Sequence, residues 1–369
     1  MRRPTVLLLG PSRDAISGVT THVNSLLGSR LAGEFALEHF QVGSEGRSEG
    51  PLGRLLRFVT SPFTLAFAVL RRGAAVVHLN TSLNAKAWWR DLVYLLVAKA
   101  CGARVVLQVH GGALDRFVFL NRFVVRLRAA LRWPDAVVVL SQQEQEAWRR
   151  LAPGQHVALL PNGIDCTPYL KYKRNLPAPD QPVRLIYIGR LAAGKGLLET
   201  IEALALARGN GVAARLVIVG NGPEGARLRA QVRELGLERE VRFAGRAVGE
   251  DKVLLLSQSD ALCLASHSEG LPYALLEAMA AGVVPIVTRV GGIPDVVQEG
   301  VHGMFVPAGD ADAIARAIET LSHDRASLAR MSAACRKRIA AVYSIQRVAA
   351  GFAGLYASLC TQREATWAP

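Results

Sequence analysis

The sequence predicts an α/β fold made of two doubly wound, parallel-sheet domains, and three observations carry that prediction. The chain has 369 residues, more than a single hydrophobic core usually holds. Short apolar or β-branched runs alternate with loop residues and helical patterns, in two successive series. Glycine is frequent, at 34 residues, as tight strand-to-helix turns require.

The elements follow in order. Thr5–Leu9 reads as a buried first strand, because Val6–Leu9 is too short for the core of a signal peptide and Gly10-Pro11 ends it. Ala75–Leu79, Arg104–Val109, Ala136–Leu140 and His156–Leu160 continue the first series, which gives an N-terminal domain over residues 1–170. Residues 171–182, with Pro177, Pro179 and Pro182 among several charges, read as a linker. The second series supplies strands at Arg184–Ile188, Arg215–Val219, Val241–Phe243, Ala261–Ala265 and Val283–Val287. Helical patterns at Leu197–Arg208, Gly225–Leu235 and Tyr273–Ala281 lie between them, giving a domain over residues 183–342. Residues 343–369 are expected to form a helix that crosses back to the first domain. The longest apolar stretch, Phe58–Leu70, is interrupted by Thr60, Ser61 and Pro62 and falls short of the ~20 residues that span a bilayer. A soluble or peripheral protein is expected.

Composition excludes other classes. Half of the residues are hydrophobic and 20% charged, the profile of a packed protein rather than a disordered one. The five cysteines are scattered and form no C-x-x-C pair, so reduced structural thiols are expected and no metal site. The net charge is +14, and residues 51–132 hold 13 basic residues against two acidic ones. Such asymmetry implies a polyanionic partner. Leu120–Trp133 places apolar residues at helical spacing beside Arg122, Arg126, Arg128 and Arg132, a pattern that suits an anionic bilayer surface or a phosphorylated acceptor. Leu52–Arg72 contributes Arg54, Arg57, Arg71 and Arg72; a half-buried helix with solvated arginines is the plainer alternative. Nucleic acid is disfavoured, since aromatics are only 6% and no recognition motif interleaves with the arginines.

Three constellations carry chemistry. Gly189-Arg-Leu-Ala-Ala-Gly-Lys-Gly196 follows a strand, and its glycines allow close approach to an anion while Arg190 and Lys195 supply charge. Gly196 stands where a P-loop needs Ser or Thr for magnesium, which argues against an NTPase. Gly220-Asn-Gly-Pro-Glu-Gly225 fits the G-x-G-x-x-G dinucleotide pattern, with Gly222 at its centre, but follows a middle strand, so a turn with backbone donors is the better reading. Ser266–Glu277 carries two carboxylates, Glu269 and Glu277, around a helix start at Gly270 and Leu271 whose N–H groups suit a diphosphate. Glu277 sits among Leu275, Leu276 and Ala278–Ala280, so it needs a partner. Asp310-Ala-Asp312 imitates a metal motif, but it precedes a helical pattern and reads as an N-cap.

These segments, with Leu160-Pro-Asn-Gly-Ile-Asp165 and Gly291-Gly-Ile-Pro-Asp295, resemble the retaining GT-B glycosyltransferases of family 4, of the bacterial polysaccharide-assembly type. The resemblance implies two Rossmann-like domains facing a central cleft, with a nucleotide-sugar donor on the second and a saccharide or polyprenyl-diphosphate-linked acceptor on the first. It assigns Arg190 and Lys195 to the donor diphosphate, Glu269 to the sugar and Glu277 to the ribose. Ser17-Gly-Val-Thr-Thr-His22 resembles the family's glycine-rich loop, placing Gly18 near the donor phosphates. His110-Gly-Gly112 is similar to its histidine beside the donor sugar. No metal or other cofactor is implied, and the site of action is the cytoplasmic face of the plasma membrane. Two other readings compete: an NAD-dependent oxidoreductase using Gly220–Gly225, and a non-catalytic membrane-associated scaffold that needs none of Arg190, Lys195, Glu269 and Glu277.

Overall fold

A computed structural model describes residues 3–111, 114, 128–178 and 180–367. The chain divides into two compact units, Met1–Gly163 with Ile345–Pro369, and Ile164–Ser344.

The first unit is a six-stranded parallel sheet in the order β2-β1-β3-β4-β5-β6. Its strands are β1 Thr5–Gly10, β2 Ala36–Gln41, β3 Ala74–Thr81, β4 Arg104–Val109, β5 Ala136–Val139 and β6 Val157–Leu159. Helices α1 Gly18–Leu27, α2 Leu31–Glu34, α3 Pro51–Arg72, α4 Ala85–Ala100 and α5 Gln142–Leu151 intervene, and α14 Ile345–Trp367 completes the unit. Burial on both faces explains the near-continuous apolar strands. Leu7 and Leu9 of β1 join one core with Leu65, Trp88 and Trp148; Val6 and Leu8 join the other with Val23, Leu31 and Phe352. β2 lies at the sheet edge and is only half-buried, so its sequence, Ala-Leu-Glu-His-Phe-Gln, lacks the apolar run by which a central strand is recognised.

The second unit repeats the plan in the order β12-β11-β10-β7-β8-β9. Its strands are β7 Val183–Ile188, β8 Ala214–Val219, β9 Val241–Gly245, β10 Ala261–Leu264, β11 Val284–Val287 and the two-residue β12 Met304–Phe305. The helices are α6 Thr167–Leu170, α7 Leu197–Gly209, α8 Gly225–Glu234, α9 Gly249–Ser257, α10 Tyr273–Ala281, α11 Ile293–Val296, α12 Ala311–His323 and α13 Arg325–Arg338.

The structure corrects two expectations. Residues 171–182 belong to the second unit, whose boundaries are Ile164 and Ser344. A side-chain contact holds the segment there: Arg174, with little exposure, donates to the Ser259 carbonyl and pairs with the buried Asp260. Local composition cannot report such distant partners. Second, the Phe58–Leu70 stretch is not broken; it lies in a continuous helix that runs through Pro62. The Thr64 hydroxyl donates to the Ser61 carbonyl at 2.9 Å beside the proline. By length and composition alone, this one described helix could cross a membrane. Of the Leu120–Trp133 pattern, Arg128–Arg132 forms a 3-10 turn with Leu131 buried and Arg132 exposed, and residues 120–127 lie outside the described residues. Arg122 and Arg126 lie outside the described residues, as does the side chain of Arg128.

Candidate functional site

In each sheet the strand order reverses beside the first strand, between β1 and β3 and between β7 and β10. Ligands of doubly wound sheets bind outside the carboxyl ends of the strands at such a switch point. Gly18, Arg190, Lys195 and Glu269 follow strands that flank these points, whereas His110 follows β4 and Gly222 follows β8.

In the second unit, the β7 loop carries Arg190 and Lys195 and the β10 loop carries Glu269. The Lys195 Nζ donates to Glu269 Oε1 at 2.7 Å, which closes an ion pair across the switch point. Glu269 is largely buried and Lys195 a quarter exposed. Arg190 is exposed and has no carboxylate partner among the described residues. Its backbone is held from below: the hydroxyl of buried Tyr187 donates to the Arg190 carbonyl at 2.9 Å. Burial, and then the charge of Glu269, push that phenol up, so it remains a donor.

Backbone packing forms the cradle. A Cβ at Gly196 would overlap the Ala265 carbonyl, and one at Gly222 would overlap the Leu191 carbonyl. Gly291, at φ 54°, meets the carbonyls of Glu269 and Gly270 in the same way. The His267 N–H donates to the Gly194 carbonyl at 2.9 Å and the Gly292 N–H to the Gly270 carbonyl at 2.7 Å. Four loops are thus joined by main-chain contacts that no larger side chain permits. The Gly-x-Gly-x-x-Gly turn is explained by this packing without a dinucleotide.

The helices leaving these loops are open at their starts. α7 begins behind Gly196 and α10 behind Pro272, and neither has a side-chain cap. α8 and α9 also start without a side-chain cap, whereas α12 and α13 are capped by Asp310 and Asp324. Asp310 Oδ1 accepts from the Ala313 N–H at 2.8 Å, the N-cap role expected of it. Uncapped helix starts beside a lysine offer positive potential to a phosphate. Leu271 is buried at the start of α10.

Glu277 is buried in α10, and its partner is Lys252 of α9, whose Nζ donates to Oε1 at 2.6 Å. Burial pushes the Glu277 carboxyl up, while the Lys252 ammonium and the Tyr169 hydroxyl draw it down. Sequence reading asked for a partner but missed Lys252 and Tyr169, because they approach from separate elements. No local signal marks them.

In the first unit, Gly18 opens α1 behind Ser17, whose side chain caps the helix by accepting from the Thr20 N–H at 3.2 Å. The serine therefore has its own task. His110, at the end of β4, places Nε2 2.7 Å from Asn80 Oδ1. The Asn80 amide donates to the Leu9 carbonyl at 2.9 Å, so Oδ1 is the acceptor and His110 carries its proton on Nε2. Burial holds His110 far below its ordinary value, hence neutral, with Nδ1 as the acceptor nitrogen of the ring. His22 packs edge-on at 4.8 Å between ring centroids, and His78 binds the Tyr356 hydroxyl at 2.6 Å through Nδ1. Burial lowers His22 to about 4 and His78 to about 3. Sequence reading found His110 and missed this three-histidine cluster, which three elements bring together.

Comparison with known proteins places the chain. The family model described as "Glycosyl transferases group 1" matches residues 170–338, and "Glycosyltransferase Family 4" matches residues 20–167. The amylovoran biosynthesis glycosyltransferase AmsK of Erwinia amylovora is 31% identical over 82% of this chain and 73% of its own length. WcaL of Salmonella typhimurium, named for colanic acid biosynthesis, is 31% identical over 66% of this chain, and the match spans 62% of that relative. The GDP-mannose:cellobiosyl-diphosphopolyprenol alpha-mannosyltransferase of Xanthomonas campestris is 26% identical over 71% of this chain and 69% of its own. Among solved structures, Anabaena HepE in complex with UDP-glucose superimposes with a TM-score of 0.74 at 20% identity, covering 96% of this chain and 99% of that one. The two parallel-sheet units are those of the GT-B fold, and the chain belongs to the group 1, family 4 glycosyltransferases.

Proposed function

We propose that the chain transfers a hexosyl unit, with retention at the anomeric carbon, from UDP- or GDP-sugar to a polyprenyl-diphosphate-linked saccharide during polysaccharide synthesis. The observation that carries this reading is the Lys195–Glu269 pair at the β7/β10 switch point, beside two uncapped helix starts. The names of the relatives support polysaccharide chemistry, and those of the Xanthomonas enzyme and of HepE support a nucleotide-sugar donor.

The second unit binds the donor and the first binds the acceptor. Lys195, Arg190 and the helix N–H groups stabilise the departing diphosphate, the task a metal performs elsewhere. Glu269 accepts from sugar hydroxyls and Glu277 from the ribose, with Gly18, Gly222, Gly270 and Leu271 lining the donor and His110 beside its sugar. The bond from the anomeric carbon to the phosphate oxygen breaks as the acceptor oxygen bonds to the same face. The acceptor proton passes to the leaving phosphate. Work at the inner face of the plasma membrane follows from such an acceptor.

The test is thermal stabilisation by UDP, GDP, ADP, TDP and NAD, followed by sugar transfer with the matching donor. One nucleoside diphosphate should raise the melting temperature, and Lys195→Ala should abolish that shift and lower turnover about 100-fold or more, with the fold retained. No shift with any diphosphate, or a shift with NAD alone, refutes the reading.

A further inference from the structure

Glu277 is a buried carboxylate in the second turn of α10, and two residues from other elements hold it. The Lys252 Nζ of α9 donates to Oε1 at 2.6 Å, and the Tyr169 hydroxyl of α6 is a second donor. Both helices pack against α10, as does α13. Arg336 of α13 lies at the other end, against Gly282, and donates to the Tyr169 carbonyl at 3.2 Å. Burial keeps the thiols of Cys335 on α13 and Cys263 on β10 neutral, and likewise the phenol of Tyr273, one turn before Glu277 on α10 itself. The Tyr343 hydroxyl, which follows α13, donates to the Asp295 carbonyl at 2.9 Å. Lys252 is thus the one cation bonded to Glu277 among the described residues.

Stability alone does not account for this arrangement. An apolar pair of similar volume avoids the desolvation that an ion pair undergoes in a protein interior. The carboxylate also keeps acceptor capacity. It offers about four lone-pair sites, and Lys252 and Tyr169 take one each. Glu277 retains 6% exposure, an edge open to a donor as small as a hydroxyl. Burial, and then the charge of Glu277, push the Tyr169 phenol up, so it serves as a donor throughout the neutral range. Donors fixed on one side of a carboxylate aim its other lone pairs.

We propose that Lys252 and Tyr169 are positioning residues: they present the Glu277 carboxylate as an oriented acceptor for the hydroxyls of the donor's ribose, and so set a preference for ribonucleotides over deoxy forms. The role rests on the reading of Glu277 as the ribose acceptor and goes beyond it in naming what lets that carboxylate discriminate. An ammonium beside a carboxylate favours the charged form, and a charged acceptor holds a hydroxyl roughly twice as strongly as a neutral one. Without Lys252, only the Tyr169 hydroxyl acts against burial. The carboxyl then takes up its proton at higher pH, and the ribose preference goes with it.

The test is calorimetric titration of the full chain with UDP, GDP and their 2′,3′-dideoxy counterparts between pH 5 and pH 9. The ratio of the two affinities isolates the ribose hydroxyls, because both ligands carry the same diphosphate and its own titration cancels. Wild type should prefer the ribonucleotide by at least about tenfold at pH 8. The pH at which half of that preference is lost should lie about one pH unit or more higher in Lys252→Met, higher by less in Tyr169→Phe, and unchanged in Lys252→Arg. Affinity for the dideoxy ligand should match wild type in all three, which reports an intact site. Where loss of the lysine leaves too little folded protein, Tyr169→Phe decides alone. A ribose preference with the same pH dependence in wild type, Lys252→Met and Tyr169→Phe overturns the proposal. So does an equal fall in affinity for both ligands, the mark of a purely structural role. Binding by wild type without ribose preference removes Glu277 from the ribose and overturns the role of both residues, while the donor site stands. No binding of either nucleotide refutes the donor reading itself.

Discussion

Buried charge makes the Glu277–Lys252 pair more consequential than its distance suggests. Glu277 is buried and Lys252 partly exposed, so removing the lysine leaves a desolvated carboxylate with only the Tyr169 hydroxyl as partner. Lys252→Met should therefore cost about 3 kcal/mol of stability, whereas Lys252→Met with Glu277→Leu should recover most of it. Denaturant unfolding of the two singles and the double checks this cycle, and additivity would dissolve the pair. Histidine supplies a second case. Folding keeps His22 neutral at a pKa of about 4, against 6.5 ordinarily, so the unfolded chain binds the extra proton between those values. Stability is then fully present above pH 6.5 and lost as pH falls toward 4, by about 3 kcal/mol from this group. Unfolding of wild type and His22→Leu at pH 7 and pH 5 tests it, because the variant should lose about a third of the slope that the three buried histidines share.

At the level of elements, the glycine-rich turns separate structural need from ligand need. Gly222 abuts the Leu191 carbonyl, whereas a Cβ at Gly225 meets only the Leu191 side chain at 3.7 Å. Gly222→Ala should destabilise the ligand-free protein by about 2–3 kcal/mol, and Gly225→Ala, at the first position of α8, should be neutral or slightly stabilising. Equal melting temperatures for the two variants would show that the loop packing does not require the central glycine. The helix starts read differently from sequence. Asp310 is a cap residue legible as such, since a cap acts within three residues of itself, while Ser17 and Asp324 cap α1 and α13 without having been singled out as caps from the sequence. The tie between the Lys195 loop and the Glu269 loop spans 74 residues and could be inferred only from a family resemblance.

Over the whole molecule, the chain's end completes its beginning. α14 brings Phe352 and Tyr356 into the core that Val6 and Leu8 of β1 help to form. Phe352→Ala should cost about 3–5 kcal/mol, and the loss should be read in the first unit, by hydrogen exchange at β1 and β3. Protection lost in β7 and β8 instead would contradict the division into units. The C-terminal crossing was expected, but its reason, a core face left open by α1 and α2 alone, is visible only in three dimensions.

The sequence by itself determined the α/β alternation, the order of the strands in the chain, the glycine-rich turns and Arg190, Lys195, Glu269 and Glu277 as candidates, because these depend on period, spacing and local turn chemistry. Tertiary structure decided which loops meet at the switch point, that Lys252 answers Glu277, that residues 171–182 join the second unit, and that α3 runs through Pro62 with one side bare. Those outcomes turn on partners far away in the chain. Burial and long-range pairing are properties of packed faces, which a linear pattern signals only when a residue's partners lie within a few positions of it.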